Sequence, residues 1–156
     1  MSRTHEGSLD GRGIEVALVV SRFNAFVAER LLDGAVDCLE RHGCGAEQRT
    51  VVRVPGAWEL PQVVRRLALS GRYQAVVALG ALVRGETPHF ELLAAEVTRA
   101  LGQIARDSGV PVAYGLVTTD TVEQAIDRAG AKAGNKGWDA ALAAIEMVQL
   151  FRRLDG

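Results

Sequence analysis

One stretch of the chain combines residue types that could bind an anion and transfer a proton. It reads Gly-Ala-Leu-Val-Arg-Gly-Glu-Thr-Pro-His-Phe and covers residues 80–90. Thr87 is a favourable N-cap and Pro88 suits the first position of a helix, so a helix is predicted to begin here. Unpaired N–H groups around Glu86 and Thr87 would then form a phosphate site. His89 would lie in the first turn, where the positive end of the helix dipole favours a neutral imidazole that can accept a proton.

The same stretch has a plain structural interpretation. A capped helix with a histidine on its surface requires no ligand, and helix caps are far commoner than active sites. These residues alone leave both interpretations open.

Two loops hold further candidate binding residues. Phe23 is a large aromatic residue in a polar loop, where it could stack on a planar heterocycle or anchor the loop in the core. Trp58 and Glu59 lie between two prolines. The Glu59 carboxylate could accept hydrogen bonds from sugar hydroxyls, or it could simply favour the start of a helix.

Basic residues gather around a glycine-rich turn at 129–137. Arg128 precedes this turn, and Lys132 and Lys136, the two lysines of the chain, lie within it. A guanidinium fork and ammonium groups suit phosphate. A cation is, however, also favoured at a helix C-terminus, and lysines are common in solvated loops. The turn is therefore a second candidate anion site with a structural alternative.

Predicted strands and helices alternate along the chain, which is typical of a parallel sheet with helices on both faces. The predicted strands are 14–20, 50–54, 75–79 and 112–117, and the predicted helices are 25–42, 62–69, 90–106, 122–128 and 138–154. Right-handed crossovers with the strand order 2-1-3-4 would place the reversal of order between the first and third strands. Ligands bind beside the carboxyl ends of strands at such a reversal. We therefore expect Phe23 and His89 to face one crevice.

Length and composition limit the class of protein. A chain of 156 residues fits one domain, 1–156, with a polar, glycine-rich arm at 1–13 that would become ordered against a neighbour. A formal net charge of -1 provides no attraction for nucleic acid or acidic membranes. The longest apolar run, 75–83, is too short to span a bilayer, and the N-terminus lacks an apolar signal core. A soluble cytoplasmic protein with Cys38 and Cys44 as free thiols is expected.

Several common catalytic motifs are absent from the sequence. The histidines are scattered and not grouped with the cysteines, so no metal cluster is predicted. There is no Walker loop, no G-x-G-x-x-G after a strand and no serine in a nucleophile elbow. Any chemistry would therefore depend on proton transfer, phosphate binding and positioning.

Five stretches of the chain, taken in order, resemble the 6,7-dimethyl-8-ribityllumazine synthase family of riboflavin biosynthesis. They are Ser21–Asn24, Val54–Pro61, Leu79–Phe90, Gly115–Thr119 and Glu123–Gly137. Each stretch is a weak signal alone, whereas the ordered set is specific and covers the chain from about Leu9 to the last helix.

The resemblance implies a flavodoxin-like, three-layer α/β/α sandwich and a reaction without metal or organic cofactor. In that reaction 5-amino-6-ribitylaminouracil condenses with 3,4-dihydroxy-2-butanone 4-phosphate. An amine adds to a ketone to give a Schiff base, phosphate is eliminated, and the ring closes with loss of water.

The resemblance also implies roles for individual residues. His89 would transfer protons, and Phe23 would stack on the pyrimidine. The ring and the ribityl chain would contact Ala57, Trp58 and Glu59, and the ring edge would contact Ala81, Leu82 and Val83. The phosphate would be bound by Glu86, Thr87 and Arg128. Tyr114 would close over the aromatic ring, and Lys136 and Asp139 would give further support.

The family resemblance implies a homo-oligomer with small-molecule substrates. Its active sites would lie between adjacent subunits of a pentamer, with Tyr114 and Arg128 reaching across. The predicted helix 90–106 has one apolar side and a second side of small, uncharged residues, so both sides can pack. This fits a position on a five-fold axis. Some members stop at pentamers or decamers, and others build an icosahedral 60-mer shell. The uninterrupted turn 130–137 favours the shell, with riboflavin synthase as a candidate partner.

Two other functions remain open at the level of sequence. A riboflavin synthase of the archaeal kind shares the fold and dismutates two lumazines. The phosphate site at Glu86, Thr87 and Arg128 argues against it, because that reaction has no phosphorylated substrate. A shell or flavin-binding protein that has lost its activity would not need His89 and Arg128, which are both present.

Overall fold

Four parallel strands form the centre of the protein, in a computed structural model that describes residues 2–85, 88–131 and 134–156. The strands are β1 (Val16–Ser21), β2 (Arg49–Val54), β3 (Ala75–Val83) and β4 (Val112–Thr119). They form one sheet in the order β2-β1-β3-β4, and all three strand pairs are parallel. The predicted order 2-1-3-4 is confirmed.

Helices cover both faces of this sheet. They are α1 (Ala25–Arg41), α2 (Leu60–Ala68), α3 (Phe90–Ser108), α4 (Val122–Arg128) and α5 (Lys136–Asp155), with short 3-10 helices at Ala46–Gln48 and Ala57–Glu59. One buried core lies between the sheet and α1, α4 and α5, and the other lies between the sheet and α2 and α3. The predicted three-layer α/β/α sandwich is therefore confirmed.

The central strands are apolar because both of their faces are covered. Along β1, Val16 and Leu18 enter the first core, whereas Ala17 and Val19 enter the second. Every residue of β1 and β3 is buried. Complete burial of a valine or leucine side chain contributes about 1.5–3 kcal/mol, so these strands hold the site-bearing loops on a rigid base.

Strand β3 is four residues longer than predicted. The sequence prediction ended it at residue 79, but residues 80–83 continue the ladder and pair with Leu116–Thr119 of β4. Gly80 does not interrupt the strand. A Cβ at this position would come within 2.9 Å of Ser21 Oγ, so its glycine permits close packing against β1.

Helix α3 begins at Phe90, as the predicted range 90–106 has it, but two residues after Pro88, which was predicted to be its first residue. His89 is the N-cap, and the first bond of the helix runs from Leu93 N–H to the His89 carbonyl at 2.8 Å. Pro88 thus precedes the helix, and the predictions that Pro88 starts it and that His89 lies in its first turn are wrong. The predicted Thr87 cap lies outside the described residues. The free N–H groups of the first turn of α3 therefore follow His89 in the chain.

The N-terminal arm, described from residue 2, runs without helix or strand up to β1. It contacts α5 of its own chain, where the Gln149 side chain donates to the Asp10 carbonyl at 2.6 Å. Within the described ranges, no helix combines the length and apolar character needed to cross a membrane.

Candidate active site

The carboxyl ends of β2, β1 and β3 lie together at one edge of the sheet, where a cavity of about 300 Å³ opens. Residues from all three strand ends form its walls, together with Leu93 of α3. Seven predicted binding residues are among them: Phe23, Ala57, Trp58, Glu59, Ala81, Leu82 and Val83. The topology thus brings together residues that lie far apart in sequence, and we name this space the ring cavity.

The loop after β1 presents Phe23 to the ring cavity. The side chain is 52% exposed, so the alternative in which Phe23 anchors the loop in the core is wrong. Two bonds fix the loop: Arg22 N–H donates to the Val54 carbonyl at 2.8 Å, and the Asn24 amide donates to the Ala81 carbonyl at 3.2 Å. The loop is therefore held against β2 and β3 with the Phe23 ring exposed, an arrangement that permits stacking on a planar molecule.

The loop after β2 forms a 3-10 helix at Ala57–Glu59 and passes directly into α2. Ala57 is buried, Trp58 is 62% exposed, and Glu59 is half-buried. Glu59 precedes α2 and also lines the ring cavity, so its position fits both a helix-start acid and a ligand-binding carboxylate. A half-buried carboxylate beside an apolar wall can select for hydroxyl groups of a ligand.

His89 lies on the surface at the amino end of α3. Because β1 and β3 are neighbours, the loops that bear Phe23 and His89 follow adjacent strands, as predicted. The walls of the ring cavity nevertheless include Phe23 and not His89. Glu86 and Thr87, which were predicted to bind phosphate, lie outside the described residues.

Arg84 links two loops at the carboxyl edge of the sheet, and the sequence reasoning gave it no role. Its Nε donates to Asp120 and its Nη1 donates to Glu91, each at 2.8 Å, while the guanidinium carbon lies 4.9 Å from the Phe90 ring centroid. The hydrogen bonds to Asp120 and then to Glu91 raise the pKa of Arg84. Exposed ion pairs contribute little stability, so these contacts mainly orient the start of α3 against the loop after β4.

The predicted cationic residues lie beside β4. Arg128 and Lys136, with Asp139, line a second cavity of about 320 Å³. The Lys136 ammonium is 5.7 Å from the centroid of the Tyr114 ring, and the Tyr114 hydroxyl is 3.0 Å from Thr98 Oγ1. We call this space the cation cavity. Lys132, the third predicted member of this group, lies outside the described residues.

The ring cavity and the cation cavity are different sites on one chain. The first lies at the ends of β2, β1 and β3, and the second lies beside β4 at the edge of the sheet. A ligand with a planar ring would fit the first, and an anionic ligand would fit the second.

These features define the class of protein: a flavodoxin-like α/β protein with a cavity where the strand order reverses, which is where proteins of this architecture bind ligands. The sequence model of the family described as 6,7-dimethyl-8-ribityllumazine synthase matches residues 13–152. The chain therefore belongs to the 6,7-dimethyl-8-ribityllumazine synthase family, and the resemblance found in the sequence is confirmed. It is a transferase of riboflavin biosynthesis.

Individual relatives agree with this assignment over nearly the whole chain. A 6,7-dimethyl-8-ribityllumazine synthase of Chlorobaculum tepidum is 55% identical over 149 residues, which cover 96% of this chain and 96% of the relative. The enzyme of the same name from Prosthecochloris aestuarii is 55% identical over 152 residues, 97% of this chain and 98% of the relative. That of Nitratidesulfovibrio vulgaris is 54% identical over 152 residues, 97% of each.

Proposed function

We propose that the chain makes 6,7-dimethyl-8-ribityllumazine at a site built by two protomers. The substrates are 5-amino-6-(D-ribitylamino)uracil and 3,4-dihydroxy-2-butanone 4-phosphate. One observation supports a shared site above all: the aromatic and the cationic residues line different cavities of a single chain. A neighbour that brings its β4 edge to the ring cavity would join the two parts.

The uracil binds in the ring cavity. Phe23 is exposed and fixed at its backbone, so it stacks on the pyrimidine. The buried residues 81–83 contact the edge of the pyrimidine ring. Ala57, Trp58 and Glu59 contact the ring and the ribityl chain. Tyr114 of the adjacent protomer closes over the aromatic ring.

The phosphate binds to Arg128 of the adjacent protomer, with the Lys136 ammonium as a second cation. Asp139, which lines the same cavity, is a weaker supporting candidate. Arg128 is exposed, and among the described residues no carboxylate forms an ion pair with it within 4.0 Å. Its guanidinium group is therefore available to bind an anion. Glu86 and Thr87 are proposed to complete the phosphate site from the loop after β3.

The reaction begins when the uracil amine adds to the ketone and water leaves, which gives a Schiff base. Elimination of phosphate follows, and attack by the ribityl-bearing nitrogen closes the ring with loss of a second water. His89 transfers protons in these steps, which is typically worth ~10²–10⁴-fold in rate. Both substrates already bear their reactive groups, so holding them together supplies up to ~7–11 kcal/mol of the barrier reduction.

The active unit is a homo-oligomer, proposed as a pentamer that assembles further into an icosahedral 60-mer shell. Leu92 of α3 is 73% exposed in the isolated chain, which supports burial of this helix against a neighbour. Riboflavin synthase is the proposed partner of the shell. The proposed compartment is the cytoplasm, where Cys38 and Cys44 would remain free thiols.

The decisive test is to mix the purified chain with both substrates. Lumazine fluorescence and release of inorganic phosphate are followed together, and the two products are expected to form in equal amounts. Incubation with lumazine alone tests for a riboflavin synthase, and no riboflavin is expected. If no lumazine forms and the oligomer binds riboflavin, the chain is instead a flavin-binding protein.

A further inference from the structure

We infer that Asn135 is a positioning residue whose side-chain amide holds Arg128 and Lys136 in the arrangement that binds the substrate's phosphate group. The inference rests on the proposed function, in which these two cations form the anion site. Asn135 does not itself line the cation cavity, so it would act through its neighbours.

The Asn135 amide joins three separate parts of the fold. Its Oδ1 accepts a hydrogen bond from Trp138 N–H at 3.0 Å and so caps α5. Its Nδ2 donates to the Arg30 carbonyl of α1 and to the Ala129 carbonyl after α4, each at 3.0 Å. One side chain thus connects the end of α4, the start of α5 and the middle of α1.

These bonds fix the backbone on both sides of the glycine-rich turn. Ala129 follows Arg128 directly, and Lys136 follows Asn135 directly. An antiparallel bridge also pairs Ala129 with Asn135, which brings the two ends of the turn together. The Asn135 contacts therefore hold the backbone next to Arg128 against the backbone next to Lys136.

The Asn135 amide is closely packed against α1, at a position where α1 has a glycine. A Cβ at Gly34 of α1 would come within 2.3 Å of Asn135 Oδ1. A Cβ at Gly137 would come within 2.0 Å of the Leu31 carbonyl. Glycine at both positions lets α5 approach α1 closely enough for Asn135 to reach the Arg30 carbonyl.

A simple capping role would account for only one of these contacts. Capping requires an acceptor for Trp138 N–H, and serine provides one as well as asparagine does. The two bonds donated by Nδ2 run to other elements and add nothing to the cap. Asn135→Ser therefore keeps the cap and removes the two hydrogen bonds to the Arg30 and Ala129 carbonyls.

The test uses the full chain in its assembled state. The KM for each substrate is measured, and the Kd for inorganic phosphate is obtained by calorimetry. For Asn135→Ser we expect the KM of the phosphorylated substrate and the Kd of phosphate to rise about tenfold, with the KM of the uracil substrate within about twofold of its original value.

Two further variants separate positioning from general loss of stability. Gly34→Ala keeps asparagine at position 135, but the added Cβ would come within 2.3 Å of its Oδ1 and displace the amide. We therefore expect the same selective change as in Asn135→Ser. Gln74→Ala is the matched control, because it removes a side-chain bond to Glu15 N–H of 2.6 Å at the opposite end of the sheet. It should leave both KM values and phosphate binding unchanged.

Each outcome bears on the inference. Equal changes in both KM values, or unchanged phosphate affinity in Asn135→Ser and Gly34→Ala, would overturn it. If Asn135→Ser does not fold, Gly34→Ala alone decides by the same criteria. If the original chain makes no lumazine, the proposed function fails, and phosphate binding decides separately: weaker binding in the variants supports the inference, whereas equal or absent binding overturns it.

Discussion

The side-chain amide of Asn24 bonds to the Ala81 carbonyl at 3.2 Å and so ties the loop after β1 to β3. Asn24 is also the N-cap of α1, with φ 58° and ψ 48° in the left-handed region. Among the described residues it is the one non-glycine residue with positive φ. The backbone and the side chain of Asn24 thus hold the loop that carries Phe23, which lines the ring cavity.

Substitutions of Asn24 should separate the effect of the hydrogen bond from that of the backbone conformation. Asn24→Gly keeps the left-handed conformation and loses the bond, so we expect the KM of the uracil substrate to rise about three- to tenfold. Asn24→Ala adds strain and should also lower the free energy of unfolding by about 1–2 kcal/mol. Steady-state kinetics and urea unfolding measure the two effects. An unchanged KM in Asn24→Gly would show that this bond does not position Phe23.

Substitution of His89 should slow the reaction without abolishing it. His89→Ala removes proton transfer but leaves both substrates held together, so kcat should fall by no more than ~10²–10⁴-fold, with both KM values nearly unchanged. His5→Ala, at an exposed position in the arm, is the matched control and should have the original kcat. Complete loss of turnover in a folded His89→Ala protein that still binds both substrates would contradict this account.

Substitution of Arg128 should act on one substrate selectively. Loss of a charge-assisted bond to phosphate costs about 1.5–3 kcal/mol, so Arg128→Ala should raise the KM of the phosphorylated substrate about 10- to 100-fold. The KM of the uracil substrate should change little. Arg153→Ala removes another exposed arginine near a helix C-terminus and serves as the control. Equal increases in both KM values for Arg128→Ala would rule out the phosphate role.

The sequence predicted the architecture well because alternating strands and helices leave few topologies open. The order 2-1-3-4 is one of those few, and choosing it correctly placed the loops after β1 and β3 beside each other. The sequence pattern did not predict the full length of β3, because Gly80 resembles the start of a loop. The strand continues since Gly80 fits against Ser21 and residues 80–83 have partners in β4.

The predicted range 90–106 begins where α3 begins, but the prediction that Pro88 is the first helical residue is wrong. Thr87 and Pro88 satisfy the local preferences of a helix start, yet the helix begins at Phe90. Arg84 pairs with Glu91, in the first turn of the helix, and with Asp120 beyond β4. The loop thus has partners outside the local sequence, and local propensity does not describe them.

The contacts made by the Asn24 and Asn135 side chains were missed because their partners are remote in sequence. The bond from Asn24 to Ala81 spans 57 residues, and the bond from Asn135 to Arg30 spans 105 residues. Neither asparagine has a local pattern that differs from an ordinary turn or cap. Only the packing of the strands and helices reveals these contacts.

The two cysteines should be unreactive in the folded protein. Cys38 and Cys44 are fully buried, and burial is the largest cause of the raised pKa of each thiol. We expect almost no reaction with a thiol-reactive disulfide at pH 8, and rapid reaction of both thiols after unfolding in urea. Fast labelling of the native protein would show that the core around α1 opens readily.

Stability should fall at alkaline pH, in part because of Cys38. Burial, and then the charges of Asp37 and Asp139, raise the pKa of this thiol from 9.0 to about 11. The unfolded chain therefore loses the Cys38 proton first as the pH rises. The contribution of Cys38 to stability is complete below about pH 9 and is lost as the pH approaches about 11. Urea unfolding at several pH values between 8 and 11 measures the loss of stability, and Cys38→Ala should show a smaller loss, because it lacks this thiol and is otherwise the same chain. An identical pH dependence in the two proteins would mean that the thiol does not resist ionisation in the folded state.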